Sequence, residues 1–188
     1  MNSGTKQLAL SSIFNAVKES QIFWILSFSA LTAVAAQITI PVKPLPFTLQ
    51  TMIVILAGAF LGARNGAYSQ IIYLLLGATG LPVFAHTPDA GIGLARLIGP
   101  TGGYLLAFPL AAFVVGYLVQ KNKKYYFVVI SMFLGAIIIL ACGTLYLNFA
   151  YLHDFSAALK AGAGIFSVWT VIKVFAAAAI YFAVTKNR

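Results

Sequence analysis

Lys173 is the residue of this 188-residue chain whose type and setting most demand chemistry, because its ammonium falls inside the apolar run 163–184. A lysine near the middle of a membrane-spanning helix costs about 2.5 to 3.5 kcal/mol on insertion scales, so the position needs a partner, a cavity or an anionic ligand. Thr170 and Trp169 stand three and four residues earlier and share its helical face. Gln50, flanked by Thr48 and Thr51 at the head of another apolar run, would leave amide groups unsatisfied against lipid and is expected to point inward. Tyr104 and Asn148 lie at the ends of further runs, with Tyr146 and Tyr151 beside Asn148 and Arg96 in the segment that precedes Tyr104. An apolar, aromatic-lined cleft with a few such polar groups is the build of a small-molecule site. The tyrosines also suit plain anchoring at a membrane interface.

The elements that position these residues follow from composition. With 61% apolar and 8% charged residues and a mean hydropathy of +0.95, the chain lies far from soluble domains. About 20 helical residues cross a hydrocarbon core, and six runs approach that length: 22–40, 47–63, 66–84, 103–119, 125–150 and 163–184. They are continuously apolar, whereas barrel strands alternate. The expected fold is an all-α membrane protein with six transmembrane helices, forming one integral membrane domain over residues 1–188. Leu10, Phe14 and Val17 fall on one helical face and predict an N-terminal amphipathic segment. The first twenty residues lack the compact apolar core and small-residue cleavage site of a removable signal peptide.

Cations set the orientation. Lys6, Lys18, Arg64, Lys121, Lys123, Lys124, Lys186 and Arg188 fall on one side, and Lys43, Arg96 and Lys160 on the other. The asymmetry predicts cytoplasmic N- and C-termini in a multi-pass protein of a cytoplasmic-type (inner) cell membrane. The net charge of +9 thus reflects anchoring against anionic lipid, and no basic face on a soluble domain suggests nucleic acid. Cys142 is the sole cysteine, so no internal disulfide forms.

The outer loops are then 41–46, 85–102 and 151–162, and they gather Asp89, Asp154, His86 and His153 with the three outer cations. Two histidines without ligand spacing do not make a metal site, so no metal or cofactor is expected. Gly99-Pro100-Thr101-Gly102-Gly103-Tyr104 concentrates turn formers before an apolar run, as a tight loop or a re-entrant segment lining a cavity would. Gly58, Gly62 and Gly66 repeat small residues four apart, which permits close helix approach. Ser29 with Ala33 and Thr32 with Ala36 form a small-residue face for a neighbouring helix, in this chain or in a partner.

Four motifs in order carry a resemblance. Gln37-Ile-Thr-Ile-Pro41, Pro46-Phe-Thr-Leu-Gln50-Thr51, Gly77-Ala-Thr-Gly-Leu-Pro-Val-Phe84 and Gly99-Pro-Thr-Gly-Gly-Tyr104 resemble the BioY family of biotin-transport substrate-binding subunits. The resemblance implies a six-helix protein that captures biotin from the outer side. It implies partners as well: a transmembrane coupling protein and two ATPase subunits of an energy-coupling-factor transporter. That fits the lack of a Gly-x-x-x-x-Gly-Lys-Ser/Thr phosphate loop. It makes Ser29, Ala33, Thr32 and Ala36 the nearest equivalents of the family's coupling face. The residues expected to contact biotin are then Gln50, Arg96, Tyr104, Asn148, Trp169, Thr170 and Lys173.

One departure stands out. The family carries an Asp one turn before the last-helix lysine, and Thr170 occupies that position here. Threonine accepts a hydrogen bond but neutralises no charge, so the substrate carboxylate, or Asp154 folding in from its loop, is expected to offset Lys173. A solitary facilitated or ion-coupled carrier is the nearest alternative, with the intramembrane lysine as a proton relay. An enzyme is disfavoured, because Gly-x-Ser-x-Gly, His-Glu-x-x-His and paired intramembrane carboxylates are lacking.

Overall fold

Ser20 opens the first helix among the described residues, α1 (Gln21–Gln37), its hydroxyl accepting from the Phe23 N–H at 3.4 Å and so satisfying one of the orphan donors of the first turn. The computed structural model describes residues 20–40, 47–86, 91–165 and 168–186. The expected amphipathic segment at Leu10, Phe14 and Val17, and the loop residues Lys43 and Asp89, lie outside them. Ile25, Phe28, Ser29, Thr32, Ala35 and Ala36 form the buried stripe of α1, with the spacing of one face of a helix.

A two-stranded antiparallel ribbon follows, β1 (Thr39–Ile40) and β2 (Phe47–Thr48), with Thr39 opposite Thr48 and Ile40 opposite Phe47. It ends the first expected span earlier than residue 40 and delivers Thr48 directly to the head of α2 (Gln50–Ala78). At Gly62 this long segment takes φ 78° and ψ −178°, a region open essentially only to glycine. A straight helix would hold residues 50 and 73 about 34 Å apart. Gln50 Nε2 instead donates to Tyr73 Oη at 2.5 Å, so the two arms run antiparallel. Gly66 explains how closely: a Cβ there would stand 2.8 Å from the Gly58 Cα. The glycine repeat thus serves a hairpin within the chain.

Two short helices, α3 (Leu94–Ile98) and α4 (Gly102–Leu106), precede α5 (Phe108–Lys121), which begins beside Pro109 and packs more extensively on α2 than any other helix does. Helix α6 (Tyr125–Leu147) continues into one π-helical turn, Asn148–Leu152, closed by the His153 N–H on the Asn148 carbonyl at 2.9 Å. The segment expected as outer loop 151–162 is largely a helix, α7 (Phe155–Ile165). Asp154 starts it, its Oδ1 accepting from the N–H groups of Ser156 and Ala157 at 2.8 and 3.1 Å, ahead of an alanine-rich stretch of high helix propensity. The last helix, α8 (Val168–Thr185), carries Lys173.

Two buried clusters divide the interior. One gathers Phe28, Leu56, Val119, Met132, Val174 and Tyr181; the other gathers Tyr73, Phe84, Tyr104, Phe108, Ile139 and Leu147. Among the described residues, Gly102–Lys121 and Tyr125–Leu152 are long and apolar enough to cross a membrane, and Gln21–Gln37 and Trp169–Thr185 are apolar but shorter.

The tight turn at Gly62 is testable. A Cβ there would lie 2.2 Å from the Gln120 Nε2, and the backbone conformation itself excludes ordinary side chains. Gly62→Ala is expected to destabilise the fold by about 1 to 3 kcal/mol, measured by reversible denaturant unfolding in detergent micelles. Parent-like stability would mean that the backbone at this turn is not constrained.

Candidate functional site

The second cluster is open on one side. Thr48, Gln50, Thr51, Phe84, Ala85, Arg96, Thr101, Tyr104, Leu105, Phe108, Ile139 and Lys173 line a cleft of about 580 Å³, part of it open to solvent. An apolar lining with a few convergent polar groups is the build of a small-molecule site. Its floor and walls are aromatic and aliphatic, and the polar groups come from the head of α2, from α3 and α4, and from α8.

Lys173 enters from α8 and is only 4% exposed. Its Nζ donates to the Thr51 Oγ1 at 2.7 Å and to the Thr48 carbonyl at 3.3 Å. The ribbon β1–β2 and the first turn of α2 therefore exist, in part, to bring two neutral oxygens to this ammonium. Neutral oxygens satisfy donors but leave the charge itself uncompensated. Asp154 does not fill that role: it is exposed and its carboxylate is engaged in capping α7. That alternative for balancing Lys173 is withdrawn.

Gln50 is held from both ends. Its Oε1 accepts from the Thr48 hydroxyl at 2.9 Å, and its Nε2 donates to Tyr73 Oη. Tyr73, with no exposed surface, donates in turn to the Val83 carbonyl at 3.2 Å. These bonds fix which way the amide points and leave one Nε2 hydrogen for the cleft. The hairpin in α2 makes this possible, since Tyr73 sits on the opposite arm.

Arg96 comes from α3 and is 5% exposed, its Nη2 donating to the Ala85 carbonyl. Burial lowers its pKa from the ordinary value, yet a guanidinium stays charged in proteins. Tyr104, buried on α4, pairs its hydroxyl with the Thr144 Oγ1 at 3.3 Å. Two cations, an oriented amide and a phenol therefore meet in one apolar cleft. Such a set can hold an anionic group together with a hydrogen-bonding polar ring.

Of the seven residues expected at the site, Gln50, Arg96, Tyr104 and Lys173 line this cleft. Thr170 is buried one turn before Lys173 without lining it, and Trp169 points outward at 38% exposure. Asn148 begins the π-helical turn away from the lining. The small-residue face on α1 is revised for three of its four residues: Ser29, Thr32 and Ala36 are buried within this chain. Thr32 there exchanges hydrogen bonds with Gln70 at 3.3 to 3.4 Å, and Ala33 is half-buried. Among residues that sequence reasoning did not single out, Tyr73 matters most; in an apolar run, a tyrosine gives no sign of a buried hydroxyl.

The profile of the BioY family matches residues 6–188. A biotin transporter BioY of Thermotoga maritima is 44% identical over 81% of this chain and 88% of its own length. A probable biotin transporter BioY of Pyrococcus horikoshii is 40% identical over 70% of this chain and 76% of its own length. Among solved structures, the S-component for biotin from an ECF-type ABC transporter superposes with a TM-score of 0.80 over 99% of this chain and 95% of that one, at 24% identity. The fold is therefore that of an S-component, and the chain belongs to the BioY family.

Proposed function

We propose that this chain is the substrate-binding membrane subunit of a biotin uptake system, a transport protein rather than an enzyme. The observation that carries the reading is the pair of buried cations, Lys173 and Arg96, brought to one small apolar cleft, with the Lys173 ammonium held on two neutral oxygens. Such a site is completed by a monoanion with an apolar body, and biotin is one. Its carboxylate would balance Lys173, its ureido ring would take the free Nε2 hydrogen of Gln50, and its ring and chain carbons would lie against Phe84, Phe108 and Ile139. The names of the relatives support the same substrate.

Six crossings follow if the two arms of α2 count separately with α1, α4–α5, α6 and α8. The distribution of charge supports cytoplasmic termini. Asn65 Nδ2 donates to Gln21 Oε1 at 3.3 Å and the Ala63 N–H to Gln120 Oε1 at 3.5 Å, so the start of α1, the α2 turn and the end of α5 share one end of the bundle. That end bears Arg64, Lys121, Lys123 and Lys124, as a cytoplasmic face does. The cleft lies at the other end and opens outward. With no phosphate loop in the chain, rapid uptake would draw on a coupling protein and two ATPase subunits; transport by vesicles that contain this chain alone would favour a solitary carrier.

Calorimetric titration of the purified chain without nucleotide tests the substrate. Biotin and desthiobiotin are expected to bind, and a biotin amide, lacking the anion, to bind at least about tenfold more weakly, since losing one partner of a buried charged pair costs roughly 2 to 5 kcal/mol. Heat from none of the three would remove the reading. Lys173→Met should lose affinity for biotin by a similar factor while narrowing the preference for biotin over its amide; an unchanged preference would take the carboxylate away from Lys173.

Tyr73→Phe examines the amide. It leaves the Val83 carbonyl and one Gln50 donor without a buried partner, so about 1 to 3 kcal/mol of stability should be lost, and biotin affinity should fall as Gln50 turns. Thermal unfolding with and without biotin separates the two effects. Parent-like affinity would mean that the amide orientation does not matter to the ligand.

A further inference from the structure

Tyr146 and Tyr151 converge on a single acceptor. Tyr146 Oη donates to the Ile98 carbonyl at 2.8 Å, and Tyr151 Oη donates to the same oxygen. Their ring centroids lie 6.2 Å apart at an interplanar angle of 51°. Five residues along an ordinary α-helix turn through about 140° beyond a full circle, which would send the two side chains to different faces. The π-helical turn Asn148–Leu152, with its bond from the His153 N–H to the Asn148 carbonyl, lengthens that circuit and brings Tyr151 back towards Tyr146. Such one-turn insertions recur at functional sites.

Their target is equally specific. Ile98 is the last residue of α3, so its carbonyl has no partner within that helix, and both of its lone pairs are open to donors. The helix is five residues long and has little stability of its own. It nevertheless carries Arg96, buried against the cleft, two residues before Ile98. Gly103, just beyond the following turn, lets the chain lie close to α6: a Cβ there would stand 2.2 Å from the Tyr146 Cβ. The backbone that presents Arg96 is thus tied to α6 through one carbonyl.

We propose that Tyr146 and Tyr151 are positioning residues for ligand capture, a two-hydroxyl latch that holds α3 so that Arg96 stays in the cleft. This rests on the reading of the cleft as the ligand site. Neither tyrosine lines the cleft, and both act through Arg96. Because Tyr151 is exposed and Tyr146 half-buried, phenylalanine at either position keeps the ring while removing only the hydroxyl.

Two measurements on the full chain in lipid nanodiscs test the latch. In the first, without any ligand, hydrogen–deuterium exchange across residues 94–101 should quicken at least about tenfold in Tyr146→Phe/Tyr151→Phe relative to the parent, with exchange in α5 unchanged. Equal exchange across 94–101 overturns the latch whether or not biotin binds. In the second, biotin affinity and dissociation rate are compared in the parent, the double variant, Arg96→Gln and the triple variant. The double variant should bind at least about fivefold more weakly, chiefly through faster release, and the triple variant should match Arg96→Gln within about twofold. Loss by the same factor in both backgrounds would show that the hydroxyls do not act through Arg96 and would overturn the assignment. A parent that binds no biotin overturns the site reading instead, and with it the role assigned to Arg96.

Discussion

Burying the ammonium of Lys173 is the constraint on which the rest of the site depends. An isolated charge in an apolar interior is costly unless oxygens replace its hydration, and here the replacements are the Thr51 hydroxyl and the Thr48 carbonyl. Both sit at the junction between β2 and α2, so the short ribbon and the start of that helix are tied to α8 by a contact between residues far apart in sequence. The same junction supplies the Thr48 hydroxyl that orients Gln50. A single cation thus organises three elements, and the neutrality of its partners leaves a place for an anion.

The α2 hairpin is the second requirement, because it converts sequence proximity into a two-walled pocket. Gly62 turns the chain through a conformation closed to other residues, and Gly66 against Gly58 lets the arms close up. Tyr73 on the returning arm can then reach Gln50 on the outgoing one. Were the arms separated by bulkier residues, the amide would lose its partner and with it a defined orientation. Packing on the helix backbone and polar order in the cleft are therefore one problem, solved by small residues placed away from the ligand.

How much of this was legible in the sequence depended on the residue. Lys173, Gln50 and Arg96 announced themselves because a polar group in or beside an apolar run must be satisfied somewhere. The glycine repeat announced close approach but not its partner, which proved to be the same segment folded back. Tyr73 was silent, since a tyrosine in a hydrophobic run reads equally as wall, anchor or buried donor. Asp154 misled: in its loop it suggested a counter-charge for Lys173, although an aspartate ahead of an alanine-rich stretch is also a helix start, and it caps α7. Ser29, Thr32 and Ala36 had the right size for a partner's helix, but small residues fit an intrachain neighbour as well; all three are buried within this chain, and Thr32 pairs with Gln70 on the second arm of α2.

Thr170 brings these threads together. It is buried one turn before Lys173, where a carboxylate would neutralise the lysine permanently and make the empty cleft electrically comfortable. Threonine leaves that charge standing, so an entering anion gains more from the site than it would beside a pre-formed ion pair. The cost is borne by the protein itself, which among the described residues holds this buried cation on the neutral oxygens of Thr48 and Thr51. Anything that binds the folded state and not the unfolded one stabilises it, by an amount that grows with the logarithm of its concentration relative to its dissociation constant. On the proposed reading the ligand would double as the missing counter-charge, coupling affinity and fold stability through one nitrogen.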